Sequence, residues 1–307
     1  DNLSYGHKYI IDQVLKVPLV KGDISDRDLI KKLFSDFSID AVIHFAAYAY
    51  VGESCINPIK YYENNVIGTI NLFNEIIEFS KKERKERPIP LVFSSTCATY
   101  GIPKEIPIKE NTLQNPINPY GNSKLFIEKI LEDYGNAYNL SSISFRYFNA
   151  AGASKDSSLG ENHIPETHLI PLCFDATNKD KKPLVIFGSD YPTHDGTCIR
   201  DYIHVEDLAE GHIKALECQF LKTNNFDCFN LGTGKGTSVL ELIKVFENVN
   251  NIKVPFEITS RREGDTAVLV ADNALASDEL DWKPKRSLRD MCKDGYKWFL
   301  KNPKGYY

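Results

Sequence analysis

The chain has 307 residues, 42% of them hydrophobic and 26% charged, a composition that is ordinary for a globular protein and excludes a disordered chain. The formal net charge of −5 argues against a broadly basic surface, so we predict no nucleic-acid partner. No apolar run is long enough to span a bilayer, so we predict no membrane association.

The cysteines and histidines bear on redox compartment and metal binding. Seven cysteines are scattered along the chain, and no two form a Cys-x-x-Cys pair. This pattern favours free thiols in a reducing cytoplasm over a disulfide framework. No His-Glu-x-x-His motif occurs, so we predict no metal site. His163 and His168 fall in a predicted loop near a substrate pocket, where either is equally well explained as a structural residue.

Strand-like and helix-like stretches alternate through the first half of the chain. The predicted elements are a strand at 17–24, a helix at 26–37, a strand at 41–47, a helix at 58–81, a charged turn at 83–90, a strand at 91–96, a helix at 119–138 and a strand at 142–149. The run at 41–47 is nearly all apolar, which is typical of a strand covered on both faces. The alternation predicts an α/β fold with a doubly wound, Rossmann-like parallel sheet.

The second half has shorter and less regular elements. The predicted elements are a long polar loop at 150–166, helices at 169–178, 205–220 and 238–249, and strands at 184–187, 200–204 and 228–231. We therefore predict two domains, 1–150 and a smaller α/β domain at 151–307, parts of which fold back onto the first.

The segment "NPYGNSKL", residues 118–125, carries the strongest local signal for chemistry. Pro119 is a favoured first residue of a helix, and positions four apart share one helix face, so Tyr120 and Lys124 are predicted neighbours. A nearby ammonium favours the phenolate form and is expected to lower the pKa of Tyr120 from its ordinary value near 10. Such a tyrosine can act as a general acid or base toward a substrate hydroxyl.

Three polar clusters are predicted at the carboxyl ends of strands or the following helix start, where open α/β sheets bind ligands. They are Ser94–Thr96, Tyr120 with Lys124, and Tyr147–Asn149. A tyrosine–lysine pair alone is common by chance on helices, but together with the fold and Thr96 it indicates oxidation of an alcohol with hydride transfer to a nicotinamide.

Longer motifs identify a family resemblance. They are "DNLS" at 1, "GDI" at 22, "VIHFAA" at 42, "VGES" at 51, "YYENNVIGT" at 61, "FSSTCATYG" at 93, "NPYGNSKL", "RYFNAAGA" at 146, "IFGSDYPTHDGTCIRDYIHVEDLA" at 186, "NLGTG" at 230 and "RREGD" at 261. With them the chain resembles the extended short-chain dehydrogenases/reductases, and within these the UDP-glucose 4-epimerase family. The motif at 186–209 is far more specific than the tyrosine–lysine pair.

The resemblance implies an NAD-dependent interconversion of UDP-glucose and UDP-galactose through a 4-keto sugar that turns over in the pocket. It implies that Tyr120, Lys124 and Thr96 are catalytic. It implies an NAD-binding domain at 1–150, a UDP-sugar-binding domain at 151–307 and a homodimer. The implied cofactor-binding residues are Asp1, Asn2, Asp23, Ile24, Phe45, Ala46, Asn64, Ser94, Tyr120, Lys124 and Tyr147. The implied substrate-binding residues are Thr96, Asn149, Leu169, Phe187, Arg200, Arg262 and Asp265.

Two departures from the family pattern stand out. The family's first strand and its Gly-x-x-Gly-x-x-Gly turn should precede Asp1, so we interpret the chain as a piece of a complete enzyme. Some relatives carry a lysine that contacts the cofactor where this chain has Ala49, which puts one phosphate contact in question.

Alternative interpretations remain for several residues and for the activity. Phe45 and Phe187 are equally typical of a core, and Asp1 of a solvated terminus. A 4,6-dehydratase would need acidic residues after Thr96, and Cys97 and Ala98 argue against it. Epimerisation of a UDP-N-acetyl hexose, a UDP-pentose or a UDP-uronate, and an inactive nucleotide-sugar binder, are the other hypotheses.

Overall fold

The computed structural model describes residues 1–83, 88–178, 180–221, 225–262 and 264–306. The α-helices are α1 (Arg27–Asp36), α2 (Val51–Ile56), α3 (Pro58–Tyr61), α4 (Thr69–Lys82), α5 (Pro119–Tyr138), α6 (Leu169–Ala176), α7 (Val205–Leu221), α8 (Val239–Asn250), α9 (Ala274–Leu280) and α10 (Leu288–Lys301). The strands are β1 (Val42–His44), β2 (Leu91–Thr96), β3 (Ser142–Tyr147), β4 (Asn149–Ala151), β5 (Leu184–Phe187), β6 (Ile199–His204), β7 (Phe226–Leu231), β8 (Gly236–Ser238), β9 (Phe256–Thr259) and β10 (Val268–Leu269).

A parallel sheet in the order β1-β2-β3-β7 organises the first half of the chain. Its faces are covered by different helices, because successive side chains of a strand point to opposite sides. Leu91 and Phe93 pack with residues of α1, α4 and α5, whereas Val92 packs with residues of α7 and α9. The predicted α/β fold with a parallel sheet between helices is therefore confirmed.

The remaining strands form smaller sheets around a second core. Strands β10, β6 and β4 pair in parallel, β8 pairs antiparallel with β6, and β5 pairs with β9. Helices α6, α8 and α10 enclose a core that includes Phe174, Tyr202 and Phe246. Strand β7 belongs to the C-terminal half of the sequence but pairs with β3 of the central sheet.

The predicted strand at 17–24 is wrong, because this segment forms no ladder. It makes two backbone hydrogen bonds with the chain start, from Asp1 N to Val20 O (3.3 Å) and from Gly22 N to Asp1 O (3.1 Å). Pro18 also lacks the N–H that a central strand donates. The prediction that the strand at 41–47 is covered on both faces is also wrong in part, because Ile43 of β1 is 38% exposed.

The long predicted helix at 58–81 is continuous but not uniformly α-helical. It consists of α3, a π-helical stretch at Tyr62–Gly68 and α4. Residues 84–87 of the charged turn predicted at 83–90 lie outside the described residues. Helices α2, α9 and α10 and strands β8 to β10 were not predicted.

Candidate active site

The register of β2 and β3 creates one polar edge of the central sheet. Thr96 pairs with Tyr147, and each is the last residue of its strand. Because parallel strands end at the same edge, the side chains of Ser94, Thr96 and Tyr147 converge there. The hydroxyl of Tyr147 also lies near the side chain of Ser94.

The start of α5 places the tyrosine–lysine pair against that edge. The Asn118 side chain caps the helix by accepting from Gly121 N at 2.8 Å, and Pro119 fills the first turn. A Cβ on Gly121 would come within 2.8 Å of the Ala98 carbonyl oxygen, so glycine permits the close approach of α5 to the turn after β2. Tyr120 thereby comes beside Thr96, whose hydroxyl is placed to hydrogen-bond with the phenol.

The expected direction of the Tyr120 pKa is not what the structure gives. Burial raises the pKa of Tyr120 to about 12, and the hydrogen bond to Thr96 opposes that rise only in part. The spacing on the helix is as predicted, but the loss of hydration that burial imposes disfavours the phenolate more strongly.

Lys124, one helical turn after Tyr120, is almost completely buried. Its Nζ donates a hydrogen bond of 2.7 Å to the Ser94 carbonyl oxygen and lies 4.9 Å from the centre of the Phe93 ring. Burial lowers the pKa of Lys124 to about 7, against the attraction of the Glu128 carboxylate. The lysine therefore changes charge close to neutral pH.

This shift predicts a measurable pH dependence of stability. The folded pKa of Lys124 is about 7 and the reference value is 10.5, so between these the unfolded chain binds a proton that the folded chain lacks. Stability should therefore rise with pH across that window. We expect the free energy of unfolding of the native chain, relative to Lys124→Met, to increase from about pH 7 to about pH 10 in urea titrations.

Lys129→Met is the matched control, because Lys129 is an exposed lysine on the same helix. The difference in the free energy of unfolding between Lys129→Met and the native chain should stay constant from about pH 7 to about pH 10. A Lys124→Met protein with the same pH profile as the native chain would contradict the buried-lysine interpretation.

A cavity of about 650 Å³ opens beside the amino-terminal end of the chain. It is lined by seven of the predicted cofactor-binding residues: Asp1, Asn2, Asp23, Ile24, Phe45, Ala46 and Asn64. Asn2 Nδ2 donates to Asp23 Oδ2 at 2.8 Å, which orients one carboxylate at its polar end. Carboxylates beside apolar walls fit a ribose and its base.

Phe45 and His212 connect this cavity to the polar edge. Phe45 is 58% exposed, so its interpretation as a core residue is wrong. Its ring lies 4.9 Å from the ring of His212, whose Nε2 hydrogen-bonds to the Tyr147 hydroxyl. His212 Nδ1 is within 2.8 Å of the Leu208 carbonyl oxygen, which favours a proton on Nδ1 and leaves Nε2 as the acceptor. Sequence reasoning missed His212 because only the packing of α7 brings it here.

Four of the predicted substrate-binding residues form a second group. Arg262 Nη2 donates to Asp265 Oδ1 at 2.9 Å, and Arg200 Nη2 lies 3.6 Å from the same oxygen. The guanidinium of Arg262 lies 5.6 Å from the centre of the Phe187 ring, and Phe187 is 42% exposed rather than a core residue. Two guanidinium groups beside one carboxylate can bind a diphosphate.

Arg200 also relates this group to the catalytic edge. It pairs with Leu269 across β6 and β10, and Leu269 packs in the same small cluster as Cys97. Cys97 is the residue after Thr96, and burial raises the pKa of its thiol to about 12. This thiol is therefore protonated and suited to packing.

Asn149 and Leu169 are positioned by other elements. Asn149 begins β4 and pairs with Tyr202, and Leu169 begins α6 and packs against the second core. Among the described residues, neither hydrogen-bonds to the arginine group.

Asn65, which follows the cavity-lining Asn64, joins the segment at Tyr48 to the start of α5. Its Oδ1 accepts from Tyr48 N at 2.9 Å, and its Nδ2 donates to Tyr48 O at 2.9 Å and to Ser123 Oγ at 3.1 Å. Ser123 Oγ donates to Tyr120 O. Two adjacent asparagines inside a predicted amphipathic helix were the available signal, but it did not distinguish them.

The tyrosine, lysine and threonine at the edge of a parallel sheet, beside a cavity suited to a nucleotide, are features of the short-chain dehydrogenase/reductase class. The sequence profile described as GDP-mannose 4,6 dehydratase matches residues 4–295. The UDP-glucose 4-epimerase of Lactobacillus helveticus is 46% identical over 307 residues, which cover 100% of this chain and 90% of that protein.

Solved structures give the same result. The UDP-glucose 4-epimerase of Stenotrophomonas maltophila, crystallised with NAD and formylated UDP-arabinopyranose, has a TM-score of 0.92 at 37% identity and covers 99% of this chain and 90% of that one. The enzyme from Bifidobacterium longum, crystallised with NAD⁺ and UDP, has a TM-score of 0.87 at 39% identity, covering 96% and 87%. The chain belongs to the UDP-glucose 4-epimerase family.

Proposed function

We propose that this protein interconverts UDP-glucose and UDP-galactose with NAD as its cofactor. The observation that carries the proposal is the meeting of Tyr120, Thr96 and Lys124 at one sheet edge, beside a cavity lined by the predicted cofactor residues. Relatives at this level of identity that are named UDP-glucose 4-epimerases support it.

We propose that residues 1–150 bind NAD and that residues 151–307 bind the UDP-sugar, with β7 completing the sheet of the first part. NAD, when bound, supplies the hydride acceptor for C4 of the sugar and a positively charged ring near Tyr120. Asp1 and Asn2 would contact the adenosine ribose, Asp23 and Ile24 would flank the adenine, and Phe45 would provide an apolar contact. The carboxylate of Asp1 would repel a 2′-phosphate, which favours NAD over NADP.

Tyr120 takes the proton of the sugar 4-hydroxyl and later returns it. Thr96, which lies beside Tyr120, is placed to share this proton. Because burial holds the tyrosine pKa high, a nearby positive charge is needed to favour the phenolate. Lys124 provides that charge below its own pKa of about 7.

The second group of residues would hold the nucleotide. Arg200 and Arg262 bind the diphosphate, Asp265 accepts from a ribose hydroxyl, and Phe187 lies under the Arg262 guanidinium. Asn149 and Leu169 would line the sugar or the uridine.

The test is a direct assay of the purified protein with UDP-galactose in the presence of NAD. We expect UDP-glucose to form and to approach a mixed equilibrium from either sugar. Parallel reactions with a UDP-N-acetyl hexose, a UDP-pentose and a UDP-uronate give the specificity. If the protein converts only one of these three sugars, that sugar replaces UDP-galactose as the proposed substrate. If the protein binds a UDP-sugar but converts none of them, it is a nucleotide-sugar binder.

We further propose a homodimer that forms through α3, α4 and α5. Apolar side chains on this surface are exposed, including Ile59, Ile67 and Phe126, and the Tyr62 and Phe126 rings stack with centres 6.0 Å apart. Light scattering should give twice the chain mass, and Phe126→Glu should give the single-chain mass.

The seven cysteines all lie in the described parts of the chain and have free thiols, which supports the proposed cytoplasmic location. Among the described residues, no helix combines the length and apolarity that a membrane crossing requires.

A further inference from the structure

Four metal-ligating side chains converge in the segment that leads from β4 to α6. They are Glu161, His163, Glu166 and His168, and one potential ligand atom from each lies within 4.8 Å of all the others. The proposed function uses none of them. We propose that this cluster is a binding site for a divalent transition-metal ion of the zinc type.

The pairwise distances support a shared centre. His163 Nδ1 lies 3.2 Å from Glu161 Oε1 and 3.8 Å from Glu166 Oε2. His168 Nδ1 contacts Glu161 Oε1 and lies 3.9 Å from Glu166 Oε1. Ligands of a tetrahedral zinc ion at about 2.0–2.2 Å from the metal are separated by similar distances. Only small side-chain adjustments are needed to place an ion among these atoms.

The surroundings of the His163 Nδ1 atom indicate that a ligand is missing. Its Nδ1 is shielded from solvent, yet it has no hydrogen-bond partner of good geometry, although two carboxylates face it. A buried polar nitrogen without a partner is costly, and a metal ion would satisfy it. The Glu161 and Glu166 carboxylates beside it raise the pKa of His163 to about 10, and the two histidines hold the pKa of Glu161 at about 2 against the effect of burial. An ion that binds here must therefore displace a proton from His163, so binding should release protons.

The donor set defines the class of metal. Two imidazole nitrogens and two carboxylate oxygens match zinc and its neighbours, whereas calcium and magnesium prefer oxygen ligands alone. Two negative carboxylates with two neutral imidazoles neutralise a divalent ion. Glu166 Oε1 is oriented by the backbone N–H groups of Thr167 and His168, at 2.7 and 2.8 Å. His168 is half exposed, which leaves an entry path for the ion.

An ion at this location would affect how the start of α6 is held. His168 directly precedes Leu169 and α6, and the His163 ring meets the Tyr50 ring edge-on at 6.0 Å, just before α2. The adjacent Asn162 carbonyl oxygen lies 3.3 Å from His7 Nε2. A bound ion would therefore brace the start of α6 against segments from the first part of the chain.

The test is zinc binding by the purified protein, with His163→Ala/His168→Ala as the variant. After dialysis against micromolar zinc and then buffer, we expect one zinc ion per native chain by mass spectrometry and none in the variant. Loss of supporting residues around a metal commonly costs 10–100-fold in affinity, so loss of two ligands should cost more than about 100-fold. Zinc should also raise the thermal midpoint of the native protein and leave that of the variant unchanged.

His194→Ala is the control, because His194 is an exposed histidine beside Asp195 and Glu241 at 3.8 and 3.2 Å. It should retain the zinc and the thermal shift. Glu161→Gln is a second variant that keeps side-chain size, so a folding defect of the double variant does not decide the result, and it too should lose zinc.

Cobalt provides the spectroscopic check on the ligands. Cobalt in the native protein should give visible d–d bands without a thiolate charge-transfer band, because the proposed ligands are nitrogen and oxygen. A thiolate band would assign the ion to the cysteines and overturn the proposal. Absence of retained zinc would also overturn it and leave the cluster as a network of protonated histidines and carboxylates.

Discussion

Replacing Tyr120 by phenylalanine is expected to lower kcat by about 10²–10⁴-fold, the usual contribution of a general acid–base group. The substitution removes only the hydroxyl that meets Thr96. The ring keeps its packing, including the edge-on contact with Tyr61 at 6.4 Å between ring centres. KM for the UDP-sugar and the affinity for NAD should therefore stay nearly unchanged.

The measurement is the rate of conversion of UDP-galactose at several substrate concentrations, together with NAD binding by equilibrium dialysis. Tyr138→Phe is the matched control, since Tyr138 ends the same helix and is half exposed. A Tyr120→Phe protein with kcat within roughly threefold of the native value would remove Tyr120 from the proton-transfer role.

Replacing Arg146 by methionine is expected to destabilise the protein by about 3–5 kcal/mol, because it leaves a buried carboxylate without its counter-charge. Arg146 and Glu128 have side chains only 5% and 3% exposed, and Nη2 lies 2.6 Å from Oε2. Arg146 Nη1 also donates to the Tyr100 hydroxyl and to the Glu110 carbonyl oxygen, each at 2.8 Å. The ion pair connects α5 to β3, the strand whose last residue, Tyr147, lies at the catalytic edge.

Urea unfolding of three variants separates the contribution of the buried ion pair to stability from the effect of removing an exposed ion pair. Lys129→Met removes an ion pair to Glu132 in which both side chains are more than half exposed, and it should cost less than about 1 kcal/mol. The double variant Arg146→Met/Glu128→Leu should recover much of the loss, because neither charge is then buried alone. Equal losses for Arg146→Met and Lys129→Met would show that the burial of Glu128 carries no penalty.

The parts of the site that depend on local sequence were predictable. Asn118 and Pro119 determine the start of α5, and the helix bounds 119–138 are those predicted. The alternation of elements placed Ser94, Thr96 and Tyr147 at one edge, since β2 and β3 are parallel neighbours whose last residues are Thr96 and Tyr147. Spacing alone put Tyr120 and Lys124 on one face.

The parts that depend on tertiary packing were not predictable in the same way. The direction of the Tyr120 pKa follows from its burial, which spacing does not report. His212 and Asn65 enter the site only through the packing of their helices, and the Arg146–Glu128 pair joins a strand to a helix. The segment at 17–24 has an apolar pattern without a ladder to join, so the pattern gave the wrong result.

The pairing of β7 with β3 bears on the order of events during synthesis. Residues 142–147 are made long before residues 226–231, yet the sheet that carries the catalytic edge is completed only when the later strand is added. Pairings distant in sequence form slowly because the intervening chain must first be ordered. During synthesis, the edge of β3 that later pairs with β7 therefore stays unpaired until the later segment leaves the ribosome. An unpaired strand edge can pair with the wrong segment or with another chain. A chaperone that covers strand edges would therefore reduce misfolding of this chain during that interval.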